Sequence, residues 1–223
     1  VYLLAKKHKL ISIIDNTFAS PVNQNPSEFG IDIIIHSATK YLGGHSDILA
    51  GAIASSKKII DKIIESSINY GGNLSAFTAW LLERSIKTLP LRVKAQNENA
   101  LRLAKFLDDH EKVSKVNYPG LENHPQFEIA KKQMKGFGGM LSFVLKNEKK
   151  VNFFPKQLNI VKPGGSLGGI ESTITAPSLT SHAKMTKDLR LKYGISDGLL
   201  RFSVGIENYE DLEFDLNQAL NKI

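Results

Sequence analysis

Cysteine is absent from the 223 residues. That excludes disulfides and thiolate metal sites, and it is compatible with a cytoplasmic location. No apolar stretch is long enough to span a bilayer, so no membrane partner is expected. No secretory signal is recognisable, so nothing argues for export. Internal repeats and low-complexity tracts are missing too. No start methionine precedes Val1, and Tyr2 to His8 already reads as the end of a helix. The chain is therefore expected to begin inside a domain, with part of any active site upstream. Acidic residues are outnumbered, giving a formal net charge of +7. The lysines are scattered in twos, as in Lys57-Lys58, Lys131-Lys132 and Lys149-Lys150, without interleaved aromatics. That pattern argues against a nucleic-acid partner. A basic rim that attracts phosphorylated or carboxylated small molecules fits it better.

What remains is ordinary globular composition, with length enough for one large domain or two small ones. The first stretch alternates helix and strand. A helix end at about 2–8 feeds a strand at 10–15, and a Pro- and Asn-rich loop leads to a strand at 31–36. Ile48 to Ala54 reads as another buried strand. Ile59, Ile60, Ile63 and Ile64 mark one stripe of a helix from Lys57 to Ser66. This is the rhythm of an α/β parallel sheet. Gly71-Gly72-Asn73 breaks it. Helices follow from Ser75 and over about 91–109. From Val113 the character turns to α+β. Strands are expected at 113–118, 140–145 and 200–204. Helices are expected near 126–134, 148–154, 182–192 and 209–222. The domain boundary falls near 85–95, giving units of 1–88 and 89–223.

Two residues concentrate the chemistry. Leu10 to Ile14 leads into Asp15-Asn16-Thr17, and Ile31 to Ile35 leads into His36-Ser37-Ala38-Thr39-Lys40. Ile-rich runs of this length read as strands of a buried parallel sheet. Ligands of open α/β sheets collect at the carboxyl ends of such strands. One rim thus receives a carboxylate, two hydroxyls and an amine. That set suits pyridoxal phosphate (PLP). A lysine holds its aldehyde as a Schiff base, an aspartate pairs with the pyridinium nitrogen, and hydroxyls meet the phosphate. Gly43 and Gly44 let backbone come close. Alone, Lys40 would read as a surface lysine after a strand. Asp15 alone would read as a turn residue continued by Asn16 and Thr17, or as a ribose-binding acid.

The runs Ile14-Asp15-Asn16-Thr17-Phe18 and His36-Ser37-Ala38-Thr39-Lys40-Tyr41-Leu42-Gly43-Gly44-His45 resemble the signature of the PLP-dependent Cys/Met-metabolism (transsulfuration) enzymes. The likeness continues in order. It takes in Lys87 to Arg92, Gly136-Phe137-Gly138-Gly139-Met140, Ser166 to Ser172 and Leu200 to Glu207.

The resemblance implies an α/β PLP-dependent transferase of fold type I. Residues 1–88 would be the C-terminal half of the cofactor-binding large domain, and 89–223 the α+β C-terminal small domain. It implies that Lys40 is the Schiff-base lysine and proton carrier, that Asp15 faces the ring nitrogen, and that Ser37 and Thr39 bind phosphate. Arg201 would grip the substrate α-carboxylate, and Ser166 would line the pocket beside it. Ser181 falls where the family usually carries threonine. Gly165 replaces a glutamate common in γ-lyases and synthases, which leaves room and removes a charge for a distal amino group. The implied reaction is elimination or replacement at the γ-carbon of a sulfur-containing or O-acylated amino acid, of the cystathionine γ-synthase or γ-lyase type. Methionine γ-lyase and cystathionine β-lyase are the alternatives, and an inactive fragment or interaction module is the alternative of another class. The expected setting is a cytoplasmic homotetramer, a dimer of dimers. The family's cofactor-stacking aromatic, its main phosphate loop and the residues lent by a neighbouring subunit would then lie upstream.

Other patterns compete. Gly164-Gly165-Ser166-Leu167-Gly168 fits the Gly-x-Ser-x-Gly elbow of hydrolases. The only later histidine, His182, is close in sequence, with Glu171 the only acid between them. His36, His45 and Asp47 lack metal-ligand spacing, so no metal is expected. The two histidines read instead as hydrogen-bonding groups around the lysine loop. For Arg201 the plain structural reading is an ion pair with Glu207 or Asp211.

Overall fold

In the computed structural model, which describes residues 1–223, the chain forms two sheets, one before and one after a long helix in sequence. The first part contains α1 (Tyr2–Lys7), β1 (Ile13–Asp15), α2 (Ser20–Asn23), β2 (Ile33–Ser37) and β3 (Gly51–Ser55). These strands form a sheet in the order β1-β2-β3, with β1 and β2 parallel and Asp15 opposite Ile35. Then come α3 (Lys57–Tyr70), α4 (Ala76–Ile86) and α5 (Leu89–Asp109). The second part holds β4 (Val113–Asn117), α6 (Phe127–Gln133), β5 (Met140–Leu145), β6 (Lys162–Pro163), β7 (Thr173–Thr175), α7 (Lys187–Lys192), β8 (Leu199–Ser203) and α8 (Tyr209–Leu220). Its sheet order is β4-β5-β8-β7-β6, antiparallel except for the β6/β7 pair.

Local chemistry explains the helix ends. Gly71, at φ 75°, stops α3 in a left-handed turn. Ser75, Thr186 and Asn208 cap α4, α7 and α8 through their side-chain oxygens. Pro90 sits in the first turn of α5, where its missing N–H costs nothing.

The main core lies on one face of the second sheet. Leu103 and Leu107 of α5 and Leu212 and Leu216 of α8, each pair one turn apart, pack with Phe143, Phe154 and Phe202. Each such side chain contributes about 1.5–3 kcal/mol on burial. A smaller cluster of Ala38, Tyr41, Leu42, Leu89, Val93 and Leu167 seats the segment after β2 against the start of α5. That contact positions the site.

Several expectations are corrected. The segment expected as a buried parallel strand at 48–54 is β3, which pairs antiparallel with β2 and is largely exposed. Thr39 and Ala50 explain the reversal. The Thr39 amide donates to the Ala50 carbonyl at 3.2 Å, and the Ala50 amide donates to the Thr39 hydroxyl at 3.0 Å. This pins the ends of the intervening loop together, whereas a parallel return needs a crossover connection. Strand β1 is shorter than the 10–15 expected, because Ser12 is drawn to Asp32, whose carboxylate accepts its amide at 2.8 Å and its hydroxyl at 2.6 Å. Ile13 on β1 stays 57% exposed, so this part of the sheet is open on one side. The helix expected at 148–154 is two 3-10 turns, Glu148–Lys150 and Phe154–Gln157, with Pro155 unable to donate to an α-helix. The helix expected at 182–192 starts only after its Thr186 cap. Strands β6 and β7 are too short to show a period and were not expected.

Candidate active site

Parallel pairing brings the carboxyl ends of β1 and β2 side by side, and with them Asp15 and Ser37. Thr17 ties the two ends together. Its amide donates to Asp15 Oδ1 at 2.9 Å, and its hydroxyl accepts the Ser37 amide at 2.8 Å. The Thr17 hydroxyl, and then its amide, hold the Asp15 carboxyl below the usual range; burial opposes this and the neighbouring His36 assists. Asp15 is therefore ionised at neutral pH. His36 is buried, and burial pushes its imidazole below the ordinary histidine value against the pull of Asp15. The turn role weighed for Asp15 is thus real, and it also presents the charge.

Beyond β2 the chain turns tightly. The Lys40 amide donates to the Ser37 carbonyl at 3.1 Å, that of Gly43 to Ala38 at 2.8 Å, and that of Gly44 to Lys40 at 2.7 Å. Gly44 has φ 71°, and a Cβ there would collide with the Arg92 guanidinium. His45 Nδ1 lies 2.7 Å from the Gly43 carbonyl oxygen, the loop role expected of it. Lys40 Nζ donates to Ser166 Oγ at 3.1 Å. The carbonyl oxygens of Gly165 and Ser166 accept Arg201 Nη2 at 2.8 and 3.1 Å. Lys40, Ser166 and Arg201 thus form one chain of contacts between the two sheets.

Asp15 and Arg201 both line a cavity of about 420 Å³, together with Asn16, Phe18, Phe137 and Met140. That is within the size of a small-molecule site. Lys40 is not part of that lining; it stands on the Ser166 side of Arg201. Arg201 makes no ion pair. Glu207 instead accepts the Ser172 amide and hydroxyl at 2.5 and 2.8 Å, and Asp211 lies in the first turn of α8. Burial lowers the Arg201 pKa, but the group stays charged. The hydrolase pattern fails geometrically. His182 bonds its neighbour Ser181 at 2.8 Å, while Ser166 faces Lys40.

These residues fit PLP. Lys40, Asp15 and Arg201 are three charged side chains without an ion-pair partner in this chain. They match an aldehyde, a ring N–H⁺ and a bound carboxylate. The Ser37 hydroxyl makes no hydrogen bond within the chain. The Thr39 hydroxyl donates only a long 3.4 Å bond to Ala50, which it can redirect to a phosphate oxygen. Thr17 and Arg92, named above only as a turn residue and as part of a matching run, and Gln96 and Asn99 take on roles in the site that the sequence alone did not assign. Polar residues recurring at 92, 96 and 99 beside apolar 89, 93, 100 and 103 were the available signal.

A model of the Cys/Met metabolism PLP-dependent enzymes matches residues 1–221. A cystathionine beta-lyase of Lactococcus lactis subsp. cremoris (strain MG1363) is 48% identical over 220 residues, covering 98% of this chain and 58% of that protein. Cystathionine gamma-synthase 1, chloroplastic, of Arabidopsis thaliana is 44% identical over 221 residues, covering 99% of this chain and 39% of that protein. The crystal structure of cystathionine gamma-lyase from Lactobacillus plantarum complexed with L-serine superposes with a TM-score of 0.95 at 42% identity, over 100% of this chain and 58% of that one. The fold is that of part of an α/β fold type I PLP-dependent transferase. The chain belongs to the Cys/Met metabolism PLP-dependent enzymes, and it spans 58% or less of the length of these relatives.

Proposed function

We propose that this chain carries the attachment lysine, the ring-facing acid and the carboxylate-binding arginine of an enzyme acting at the γ-carbon of a sulfur-containing or O-acylated amino acid, as a cystathionine γ-synthase or γ-lyase does. The observation that carries the proposal is the set of three charges that make no ion pair, Lys40, Asp15 and Arg201, gathered where the two sheets meet. When bound, PLP supplies an electron sink for the pair left on the α-carbon. Lys40 Nζ would hold the aldehyde, and its amine is the base placed to take a proton from the α-carbon. Ionised Asp15 keeps the ring nitrogen protonated. Ser37 and Thr39 hold the phosphate through their hydroxyls. Arg201 binds the substrate α-carboxylate, and Ser166 steadies the amine of Lys40. A second proton removal, at the β-carbon, permits loss or exchange of the γ-substituent; loss from the β-carbon needs only the first.

Gly165 leaves the distal group open: a Cβ there meets nothing within 4 Å, and no charge stands at this position for a distal amino group. β-Elimination is the second reading, favoured by the 48% identity to a cystathionine beta-lyase. In this reading residues 1–88 belong to the cofactor domain and 89–223 to the small domain, a division supported by the two sheets, one before and one after α5 in sequence. A homotetramer and a cytoplasmic location belong to the proposal as well. The exposed Phe77, Trp80 and Leu91 support subunit contacts, and no helix is long and apolar enough to cross a membrane.

Two measurements test the proposal. Borohydride reduction of the PLP-treated protein should fix one cofactor mass on Lys40, and none in Lys40→Ala. An unmodified Lys40 in the parent chain would leave an interaction role in place of catalysis. With cystathionine and water, γ-cleavage yields 2-oxobutanoate, cysteine and ammonia, whereas β-cleavage yields pyruvate, homocysteine and ammonia. Pyruvate as the sole oxo acid would replace the first reading by the second.

A further inference from the structure

Helix α5 carries polar side chains where an amphipathic helix would bury apolar ones. Arg92, Gln96 and Asn99 are 5%, 0% and 9% exposed. Their spacing of four and three residues puts them on one face. Each is spent on backbone carbonyls of a different segment of the site. Arg92 Nη1 donates to the Tyr41 carbonyl at 2.8 Å, and its Nη2 to those of Leu42 and Ser85 at 3.3 and 2.9 Å. Arg92 Nε is held by the Thr88 hydroxyl at 3.1 Å. Gln96 Nε2 donates to the Gly169 carbonyl at 2.7 Å. Asn99 Nδ2 donates to those of Gly205 and Glu207 at 3.3 and 2.8 Å.

No carboxylate accompanies the buried guanidinium of Arg92. A buried charge without a counter-ion costs stability unless its hydrogen bonds are complete. The Tyr41, Leu42 and Ser85 carbonyls and the Thr88 hydroxyl take up four of its five N–H groups. In return the Tyr41 and Leu42 carbonyls gain the partners that a tight turn leaves missing. The turn has no room to slide, because Gly44 packs directly against the guanidinium. Gly168 lies against Tyr41, and the Ile170 amide donates to the Gly44 carbonyl at 2.9 Å, so the Gly169 segment is stacked on the same turn.

We propose that Arg92, Gln96 and Asn99 form a positioning rail on α5 that holds the Lys40 turn, the Ser166–Gly169 loop and the Gly205–Glu207 segment just after β8 in register, and so sets the placement of Lys40 relative to Arg201 on β8. The inference rests on the roles proposed for those two residues. Arg92 governs the lysine end of the rail, and Asn99 governs the arginine end.

The test compares Arg92→Lys with Asn99→Ala. Without cofactor, hydrogen exchange at the Gly43 and Gly44 amides should quicken at least about tenfold in Arg92→Lys, because a lysine cannot serve three carbonyls through one planar fork. In Asn99→Ala the faster exchange should appear at Gly205 and Ile206 instead. In PLP-loaded protein, Arg92→Lys should lower kcat, and the rate at which borohydride fixes cofactor on Lys40, by up to about 100-fold, the scale of a 1 Å misplacement. Asn99→Ala should act mainly on KM. Equal effects of the two variants at both ends, or none, would overturn the rail. A parent chain that fixes no cofactor would instead sink the proposed function, and the exchange measurement would still decide the rail.

Discussion

Replacing Arg201 by lysine separates its contacts within the chain from the carboxylate-binding role proposed for it. Two of the five guanidinium N–H groups are committed to the Gly165 and Ser166 carbonyls through Nη2. Binding of an α-carboxylate draws on the others. Arg201→Lys keeps the positive charge but gives up one charge-assisted hydrogen bond, worth about 1.5–3 kcal/mol. At about 1.4 kcal/mol per decade, affinity for an amino acid should fall about 10- to 150-fold. Loss of the carbonyl contacts alone would loosen the pocket for any ligand. The assay therefore measures binding of one amino acid and of its α-carboxamide to PLP-loaded protein, by calorimetry. The parent should prefer the carboxylate strongly. The variant should lose that preference while binding the amide almost as before. A variant that weakens both ligands by the same factor would show that Arg201 only latches the Gly165–Ser166 segment, and the carboxylate role would fall.

Asp215 should prove a major structural carboxylate. It is buried and accepts the amides of Asn159, Ile160 and Val161 at 2.7, 2.9 and 3.0 Å. Asp215→Ala leaves these donors unpaired, at about 1–3 kcal/mol for each that stays dry. A loss near 3 kcal/mol lowers Tm by about 6–12 °C in a chain of this size; an unchanged Tm in a thermal melt would refute the assignment. His36 should govern part of the acid side of the stability curve. Its folded-state pKa is depressed by burial from 6.5, so the unfolded chain takes up a proton first as pH falls. Stability from this group is full above about pH 6.5 and is lost below it, and His36→Asn should narrow the gap between urea midpoints at pH 7.5 and 5.5. An identical gap in both proteins would exclude the histidine as a source.

Periodicity made the long helices legible. The apolar spacing of α5 and α8 and the alternation of β5 are written in consecutive residues, because a surface that must be buried every 3.6 or 2 positions cannot be hidden locally. The same held for Asp15, Ser37 and Lys40, which follow apolar strands closely enough for one rim to be inferred. The reversal at β3 was hidden because Thr39 closes a loop on Ala50, eleven residues on, through bonds that no local propensity records. β6 and β7 are held by their neighbours in the sheet rather than by their own composition.

The order of residues alone pointed to the chemistry proposed, an amine, an acid and hydroxyls at strand ends, and the family resemblance added an arginine far along the chain. Only the folded chain decided that Arg201 faces no carboxylate, that Ser166 meets Lys40, and that a buried guanidinium on α5 clasps the lysine turn. Those contacts join residues 35 to 126 positions apart. Their energies depend on which groups lose water together, and that is a property of packing rather than of neighbouring letters.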